Sequence, residues 1–346
     1  MPTPTLKEIA AELGVSHTLV SCVASGRMGN TRVSEKKRQF ILKRIQEVGF
    51  RPNRLALALK GGRKGYVSVF LHKHGVFGSE LNEQFISTIS DSLMERGLGL
   101  WLRFFTSEQE FLEACSPRLI QEVDGLIVAG TPHPEMYDSL QKLQKRGIAV
   151  VCTFANRKSA NRIPCVSIDF EKQGRLAAEH LLEMGCSRIA RIHTLKERQE
   201  GFLKGLRSAG AKVNHSLMLK TEDYTYDEAL QYIDKLVRSG KRFDGVSTDS
   251  DAQAAAVVHY FLRLGMPKDR WPKVVGIDDS PIARHCVIPL TSVTSEIRDR
   301  ARHVTQLLFD CIDKKKVKSV VVTPKLVVRE STDSSRISNY FDEVTW

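Results

Sequence analysis

The sequence lacks the short motifs that most catalytic and metal-binding proteins carry. Its 346 residues contain no CxxC pair and no GxSxG, HExxH, P-loop or GxGxxG motif. The ten histidines are dispersed. The one close pair, in HKHG at 72–75, is more typical of a surface or ligand-facing position than of a metal site. The sequence therefore predicts no enzyme, no cofactor and no metal centre.

Long apolar runs and paired cysteines are also absent. No segment approaches the ~18 consecutive apolar residues of a membrane span, and the N-terminus lacks the apolar core of a signal peptide. The seven cysteines are scattered and odd in number, which favours reduced, buried side chains over a disulfide framework or a zinc site. These absences predict a cytoplasmic protein, and the length suffices for two or three domains.

Basic charge is concentrated at the N-terminal end. Residues 1–65 hold 13 Lys and Arg against 4 Asp and Glu, a net charge of +9, whereas the remainder holds 39 against 36, a net +3. Three quarters of the excess charge thus lies in under a fifth of the chain. A concentrated basic region is the electrostatic feature of phosphate binding, which points to nucleic acid.

The same region has the pattern of three short helices. Thr5 and Glu8 form a capping box that opens the first helix, Gly14 ends it, and Ser16 can cap a second helix over 17–24. This pattern is typical of a helix-turn-helix, whose second helix enters the major groove, although alone it fits an ordinary three-helix bundle equally well. The charge favours the first interpretation. The third helix is predicted to be capped by Ser34, and its core-facing side is predicted to consist of Phe40, Ile41, Ile45 and Val48.

A possible hinge follows at RLALALK (54–60). Pro52 pushes the residue before it out of the helical region, and GGRKG (61–65) breaks order again. Seven residues cannot hold a helix alone in water. The segment is therefore either a plain linker or a helix that forms only against a partner. Its three leucines favour the helix, because a linker does not require apolar side chains.

These strings resemble the lactose/galactose-repressor (LacI/GalR-type) family of bacterial transcription regulators. The resemblance covers residues 5 to about 332. The matching strings are LKEIAAELGVS (6–16), RVSEKKR (32–38), EVGFRPNRLALALK (47–60), EVDGLIVAG (122–130), GRLAAEHLLEMGCSRIARI (174–192), VVGIDDSP (274–281) and LTSVTSEI (290–297).

The resemblance implies a sequence-specific repressor in the bacterial cytoplasm, associated with the nucleoid. It would bind a near-palindromic double-stranded operator as a homodimer, with its affinity modulated by a small, sugar-like effector. The alternative from another class is a cytoplasmic small-molecule-binding protein without specific DNA function. Deletion of residues 1–62 distinguishes the two, because a pure solute binder would keep its whole activity.

Residue by residue, the resemblance assigns base reading to three positions of the second helix, His17, Thr18 and Cys22. Cysteine cannot make the bidentate contact to guanine that a basic residue makes there, so a non-standard operator is expected. Leu59 is the hinge residue expected to wedge into the minor groove, with Lys60 beside it at the phosphates. The full set of predicted DNA contacts is Ser16, His17, Thr18, Ser21, Cys22, Ser34, Asn53, Ala56, Leu59 and Lys60.

From Tyr66 onward, strand and helix patterns alternate, which predicts two doubly wound parallel sheets. The expected fold is an all-α head with a hinge helix, followed by an α/β two-lobed, periplasmic-binding-protein-like effector domain. The expected divisions are a head at 1–51, a hinge at 52–64, an effector domain at 65–332 and a tail at 333–346. Lobe 1 is assigned about 65–162 plus 292–323, and lobe 2 about 163–291 plus 324–332. The tail has no heptads, so no coiled coil is expected.

Ligands of such sheets lie outside the carboxyl ends of the strands, here between the lobes. The resemblance places Arg198 there as a donor to a diol or carboxylate and Asp278 as an acceptor. Arg198 could instead form a surface salt bridge, and Asp278 a structural turn. Ser250 and Phe154 stand where the family often has Asn and Asp, which removes groups that a sugar would use and leaves the class of effector open. The predicted set is Phe77, Phe154, Arg198, Ser250 and Asp278.

Overall fold

The computed structural model describes residues 4–25, 33–50, 64–72, 80–116, 118–130, 134–153 and 163–336. Six of the predicted site residues lie outside these ranges. They are Asn53, Ala56, Leu59, Lys60, Phe77 and Phe154.

The head contains the three predicted helices, α1 (Leu6–Glu12), α2 (His17–Ser25) and α3 (Glu35–Glu47). The capping box of α1 is present, because Thr5 N donates to Glu8 Oε2 at 2.7 Å and Glu8 N donates to Thr5 Oγ1 at 3.3 Å. Gly14 has a φ of +61°, which allows the tight turn into α2. The predicted caps of α2 and α3 are also confirmed, since Ser16 Oγ and Ser34 Oγ each accept a backbone N–H of the first turn.

A small apolar core holds these helices together. Its buried members are Ile9, Ala10, Val20, Val23, Ile41 and Ile45. The prediction that Phe40 belongs to the inner face of α3 is wrong, because its side chain is 58% exposed. Ile41 and Ile45 lie one turn apart and take the core-facing stripe, so Phe40, one position or ~100° earlier, projects sideways into solvent.

The first lobe is built on a six-stranded sheet in which every pairing is parallel. Its strands are β1 (Tyr66–His72), β2 (Gly99–Phe105), β3 (Gly125–Ala129), β4 (Ala149–Thr153), β5 (Cys165–Ile168) and β11 (Val320–Val322), in the order β11-β5-β4-β3-β1-β2. Helices α4 (Glu80–Glu95) and α13 (Ile297–Ile312) pack on one face. Helices α5 (Glu108–Ala114), α6 (Leu119–Glu122) and α7 (Pro134–Lys145) pack on the other.

The second lobe repeats this plan. Its strands are β6 (Ile189–His193), β7 (Met218–Lys220), β8 (Gly245–Ser247), β9 (Lys273–Asp278), β10 (Thr291–Thr294) and β12 (Leu326–Val327), in the order β12-β10-β9-β8-β6-β7. Only the β10–β12 pair is antiparallel among the described pairings. Helices α8 (Phe170–Glu183) and α9 (Lys196–Ser208) cover one face, and α10 (Tyr226–Arg238) and α11 (Asp251–Arg263) cover the other. The short α12 (Pro281–His285) follows β9.

Two strands belong to the opposite lobe from the one assigned by sequence. Strand β5 pairs with β4 and β11 in the first sheet, and β10 pairs with β9 in the second. A short buried strand has the same apolar pattern in either sheet, so the pattern does not reveal its partner. The chain therefore crosses between lobes after 168, at 295–296 and at 323–325. Between β2 and β3 the chain forms two short helices, α5 and α6.

Helices α8 and α9 cross at very close range. A Cβ on Gly174 would lie 1.8 Å from the carbonyl oxygen of Arg198, and a Cβ on Gly201 would lie 1.8 Å from that of Glu171. In both cases the obstructing atom is backbone, which cannot rotate away. The two glycines therefore fix the separation of α8 and α9, and with it the position of Arg198 on the first turn of α9.

We expect Gly174→Ala and Gly201→Ala each to destabilise the protein by about 3 kcal/mol or more, because overpacking against backbone forces the helices apart. Chemical denaturation of the full-length protein measures the change. Ser208→Ala, at an exposed position of the same helix, serves as the control and should leave the unfolding midpoint nearly unchanged. Wild-type stability in both glycine variants would contradict the close crossing.

Candidate DNA-reading face and effector cleft

Four of the predicted DNA contacts lie on one side of α2. His17, Thr18, Ser21 and Cys22 are exposed or half-buried, while Val20 and Val23 of the same helix are buried in the head core. Positions i, i+1, i+4 and i+5 share one side of a helix, so these four can face a groove together.

The two capping serines lie at the N-terminal ends of their helices. Ser16 Oγ accepts from Leu19 N at 3.2 Å, and Ser34 Oγ accepts from Lys37 N at 3.4 Å. Because these bonds use only the acceptor side of each hydroxyl, its hydrogen can still be donated to a phosphate oxygen.

A cavity of about 220 Å³ lies between the two lobes. The carboxyl ends of β1, β3 and β9 and the first turns of α8, α9, α11 and α13 meet there, as expected for ligand sites of parallel sheets. Its lining residues are Leu71, His72, Leu81, Asn82, Ala129, Gly130, Phe170, Leu195, Arg198, Tyr224, Ser250, Asp251, Ala252, Asp278, Ser280, Ile282, Ser295, Ile297 and Arg300.

Arg198 is held in the cleft by protein contacts on two sides of its guanidinium. Its Nε donates to Gln173 Oε1 at 2.9 Å and its Nη1 donates to the carbonyl oxygen of Asp249 at 2.7 Å. The rings of Phe170 and Tyr224 lie 5.6 and 6.0 Å from its central carbon. The side chain is 6% exposed, so the alternative of a surface salt bridge is excluded.

Asp278 lies beside Arg198 on the second-lobe side of the cleft. Its Oδ1 accepts from Ser295 Oγ at 2.6 Å and lies 3.9 Å from Arg198 Nη2, which is an ion pair without a hydrogen bond. Its φ of +118° is strained for a residue with a side chain. The structural turn at this point depends more on Asp279, whose Oδ1 accepts from Arg329 Nη2 at 2.5 Å.

Ser250 lines the cleft, but its hydroxyl group has protein partners. It caps α11 by accepting from Gln253 N at 3.1 Å, and it donates to the carbonyl oxygen of Tyr224 at 3.0 Å. Binding of an effector by Ser250 would require one of these bonds to be exchanged, and its predicted role remains a prediction.

Asp251 is a cleft residue that the sequence reasoning did not select. Its Oδ2 accepts from both the backbone N–H and the hydroxyl of Ser280, at 2.7 and 2.8 Å, and its Oδ1 lies 2.6 Å from Ser292 Oγ. The side chain is buried. Burial, reinforced by the charge of Asp278, raises the pKa of Asp251 to about 8, so this carboxyl keeps its proton at neutral pH.

Arg300 is the second cleft residue that was missed. It lies on α13 with 2% exposure, and its Nη1 is 3.5 Å from the carbonyl oxygen of Ser295. Burial, followed by the nearby charge of Arg198, lowers the pKa of Arg300 to about 9. A signal was available, because Arg300 follows Ile297 by three positions and precedes Val304 by four, which puts a charge on the apolar stripe of an amphipathic helix.

The described residues contain no group of three or more His, Cys, Asp or Glu side chains that could hold a metal ion. His72 of the HKHG pair instead lines the cleft, with its ring 4.8 Å from that of Phe105. Within the described ranges, no helix combines the length and the apolar character needed to cross a membrane.

A helix-turn-helix head joined to two α/β lobes with a cleft between them defines a class of ligand-responsive DNA-binding proteins. The periplasmic binding protein-like domain family matches residues 178–332. HTH-type transcriptional regulator CelR of Thermobifida fusca is 28% identical over 345 residues, covering 95% of this chain and 98% of that protein. Catabolite control protein A of Priestia megaterium is 26% identical over 339 residues, covering 95% and 99%.

Solved structures agree with these relatives. The CelR–cellobiose complex matches with a TM-score of 0.68 at 27% identity, covering 95% of this chain and 99% of that one. The Lac repressor dimer bound to operator and the anti-inducer ONPF matches with a TM-score of 0.78 at 19% identity, covering 96% and 99%, and shares the fold. Over 95% of its length the chain is thus similar to LacI-type transcription regulators, which confirms the resemblance found in the sequence.

Replacing Asp251 with asparagine should change how stability depends on pH. Because the pKa of Asp251 is raised to about 8, the folded chain retains a proton that the unfolded chain releases near its ordinary pKa of ~4. The contribution of Asp251 to the free energy of unfolding therefore falls as the pH rises between these values. Asparagine stays neutral, can accept from Ser280 and can donate to Ser292.

We expect the unfolding free energy of Asp251→Asn, relative to wild type, to increase steadily from roughly pH 5 to pH 8 in denaturant titrations. Asp269→Asn, at an exposed turn, is the control and should show no such trend. A difference between Asp251→Asn and wild type that is constant with pH would show that Asp251 is ionised in the folded protein.

Proposed function

We propose that this transcription regulator is a homodimeric repressor that binds a near-palindromic operator and changes its affinity when a small, sugar-like molecule enters the cleft. The observation that carries the proposal is the presence, in one chain, of two features: a basic three-helix head whose second helix has an exposed to half-buried outer side, and a cleft lined by buried charged side chains. A protein that only bound DNA would not require the cleft, and a protein that only bound a small molecule would not require the basic head.

The head has the features that operator binding requires. The outer side of α2 offers His17, Thr18, Ser21 and Cys22 to base edges, while the basic residues of 1–65 supply attraction to phosphates. Few side chains form hydrogen bonds to base edges, and most of the affinity for DNA comes from the attraction between basic side chains and phosphates. Binding should therefore weaken steeply as salt is raised.

Dimerisation is supported by apolar side chains that a monomer would leave in water. Strand β2 forms an edge of the first sheet, and Trp101, Leu102 and Phe104 on it are 36–40% exposed. The second lobe also exposes Leu262, Leu264, Ile282 and Val287. A twofold dimer covering such surfaces would present two heads, as a near-palindromic site requires.

The hinge at 52–64 couples the two sites in this proposal. Its segment RLALALK (54–60) is too short to hold a helix alone in water and would fold where two copies meet. A change in the arrangement of the lobes in a dimer would then alter the hinge and the operator affinity. CelR is known in complex with cellobiose and the Lac repressor with operator, and by analogy this chain binds a related small molecule and operator DNA. The site of action is the bacterial cytoplasm, at the nucleoid.

Selection of bound fragments from random DNA by the full-length protein tests the operator. We expect a near-palindrome with a central flexible step such as CG or TA, because such steps are most easily opened by a wedge. A variant lacking residues 1–62 should select no operator sequence and should bind the small molecule as the full-length protein does. A full-length protein that selects no motif, with or without a metabolite mixture, would favour the alternative of a small-molecule-binding protein without specific DNA function.

Leu59→Ala should weaken operator binding by about tenfold or more, corresponding to at least ~1.4 kcal/mol, because the minor-groove wedge is lost. Fluorescence anisotropy with the selected operator measures the effect. Val321→Ala, which truncates an exposed apolar side chain of β11, is the matched control and should bind as wild type. Unchanged operator affinity in Leu59→Ala would contradict the assignment of Leu59 as the minor-groove wedge, and it would not affect the assignment of the head as the DNA-binding domain.

A further inference from the structure

We propose that the effector is a carboxylic acid, of the sugar-acid or hydroxy-acid class, whose carboxylate lies between Arg198 of the second lobe and Arg300 of helix α13 on the first lobe. This deepens the proposed function and rests on it only in taking the interlobe cleft as the effector site. A neutral sugar is the ligand class that the cleft fits less well.

The distribution of charge in the cleft is the first argument. The first-lobe side of its described lining, including α13, contributes one guanidinium, Arg300, and one imidazole, His72, but no carboxylate. The second-lobe side contributes Arg198 together with Asp251 and Asp278. Hydroxyl groups of a neutral sugar need acceptors as well as donors, and a carboxylate acceptor is missing from one wall of the described lining.

The two carboxyl groups that are present are already used by the protein. Asp251 is bonded to Ser280 and Ser292. Because its pKa is raised to about 8, Asp251 contributes no charge at neutral pH. Asp278 binds the hydroxyl of Ser295 at 2.6 Å. A ligand hydroxyl would have to compete with these internal bonds, whereas a ligand anion would not.

The two guanidinium groups supply the second argument. Arg300 is 2% and Arg198 6% exposed, and the charge of Arg198 contributes, after burial, to the lowered pKa of Arg300. Asp278 lies 3.9 Å from Arg198 Nη2, and burial raises the pKa of Asp278 as well. Like charges buried at one cavity repel each other, and an anion placed between them relieves that repulsion.

The small volume of the cavity favours a carboxylate over a phosphate, because the phosphate group is the bulkier anion. A planar carboxylate can accept two N–H groups of one guanidinium side by side. The cavity of about 220 Å³ is small, and the rings of Phe170 and Tyr224 beside Arg198 can cover the apolar face of a sugar-sized ring.

Calorimetric titration of the full-length protein tests the proposal with defined probes. These are D-glucuronate, D-galacturonate and D-gluconate, compared with glucose, galactose and their 6-phosphates. At least one acid should bind tenfold or more tightly than its neutral counterpart and than the matching phosphate. Tighter binding of a neutral sugar or a phosphate, or binding of none of the three acids, would overturn the proposal.

Variants of Arg300 connect the affinity to this residue. Arg300→Met keeps most of the side-chain volume without the charge and should weaken binding of the acid at least tenfold. Arg300→Lys restores the charge and should recover part of the loss. Arg302→Met, on the same helix but with a side chain 64% exposed and paired with Asp299, is the control and should bind as wild type.

Two results separate this proposal from the proposed function. Equal affinity of wild type and Arg300→Met for the acid would overturn the placement of the carboxylate, even if the acid binds. Selection of operator DNA without effector depends only on the head and hinge. Its success alongside a failure of all acids would therefore reject the effector class and leave the repressor intact.

Discussion

The buried carboxylate of Asp249 is the contact on which the second-lobe wall of the cleft depends. One oxygen accepts the backbone N–H groups of Thr194 and Leu195, at 2.8 and 2.9 Å, and the other pairs with Arg191, with both side chains fully buried. Burial raises the pKa of Asp249, yet Arg191, Arg198 and the two backbone N–H groups outweigh it, so the pKa lies below its usual range and the carboxylate stays charged. Since breaking a buried pair costs ~3–5 kcal/mol, the segment before α9 and the turn before α11 move as one unit, with Arg198 anchored to the Asp249 carbonyl.

The crossover at Ser295 joins this unit to the first lobe. Its hydroxyl donates to Asp278 and lies 3.3 Å from Gln173 Nε2, the amide whose oxygen accepts from Arg198. Its carbonyl oxygen faces Arg300 on α13. A charge placed between the two arginines therefore acts on the covalent connection between the lobes as well as on the walls of the cleft. This gives effector binding a physical route to the relative placement of the lobes.

Local features of the sequence were sufficient to predict most helices and strands and the caps at Thr5, Ser16 and Ser34, whereas the cleft position of Arg198 was implied by the family resemblance. Features that depend on distant partners were not. The sheet that receives 165–168 is decided by pairing with β4 and β11, which an apolar run does not encode. Asp251 and Arg300 could be seen as charges at inward-facing positions, but what they face is fixed only when β9, β10 and α13 converge. These long-range arrangements determine the chemistry of the cleft. The family resemblance therefore predicts the fold, but it does not predict which class of ligand the cleft binds.

The position of the two arginines on opposite lobes has a consequence for regulation. A ligand shifts an equilibrium between open and closed lobes only by the difference in its affinity for the two states. A sugar held by the second lobe alone would bind both states nearly equally and would change little. A carboxylate between Arg198 and Arg300 gains its second guanidinium only when the lobes approach, so most of that electrostatic gain belongs to the closed state. Under the proposed carboxylate site, the positions of Arg198 and Arg300 on opposite lobes would therefore make ligand binding favour lobe closure.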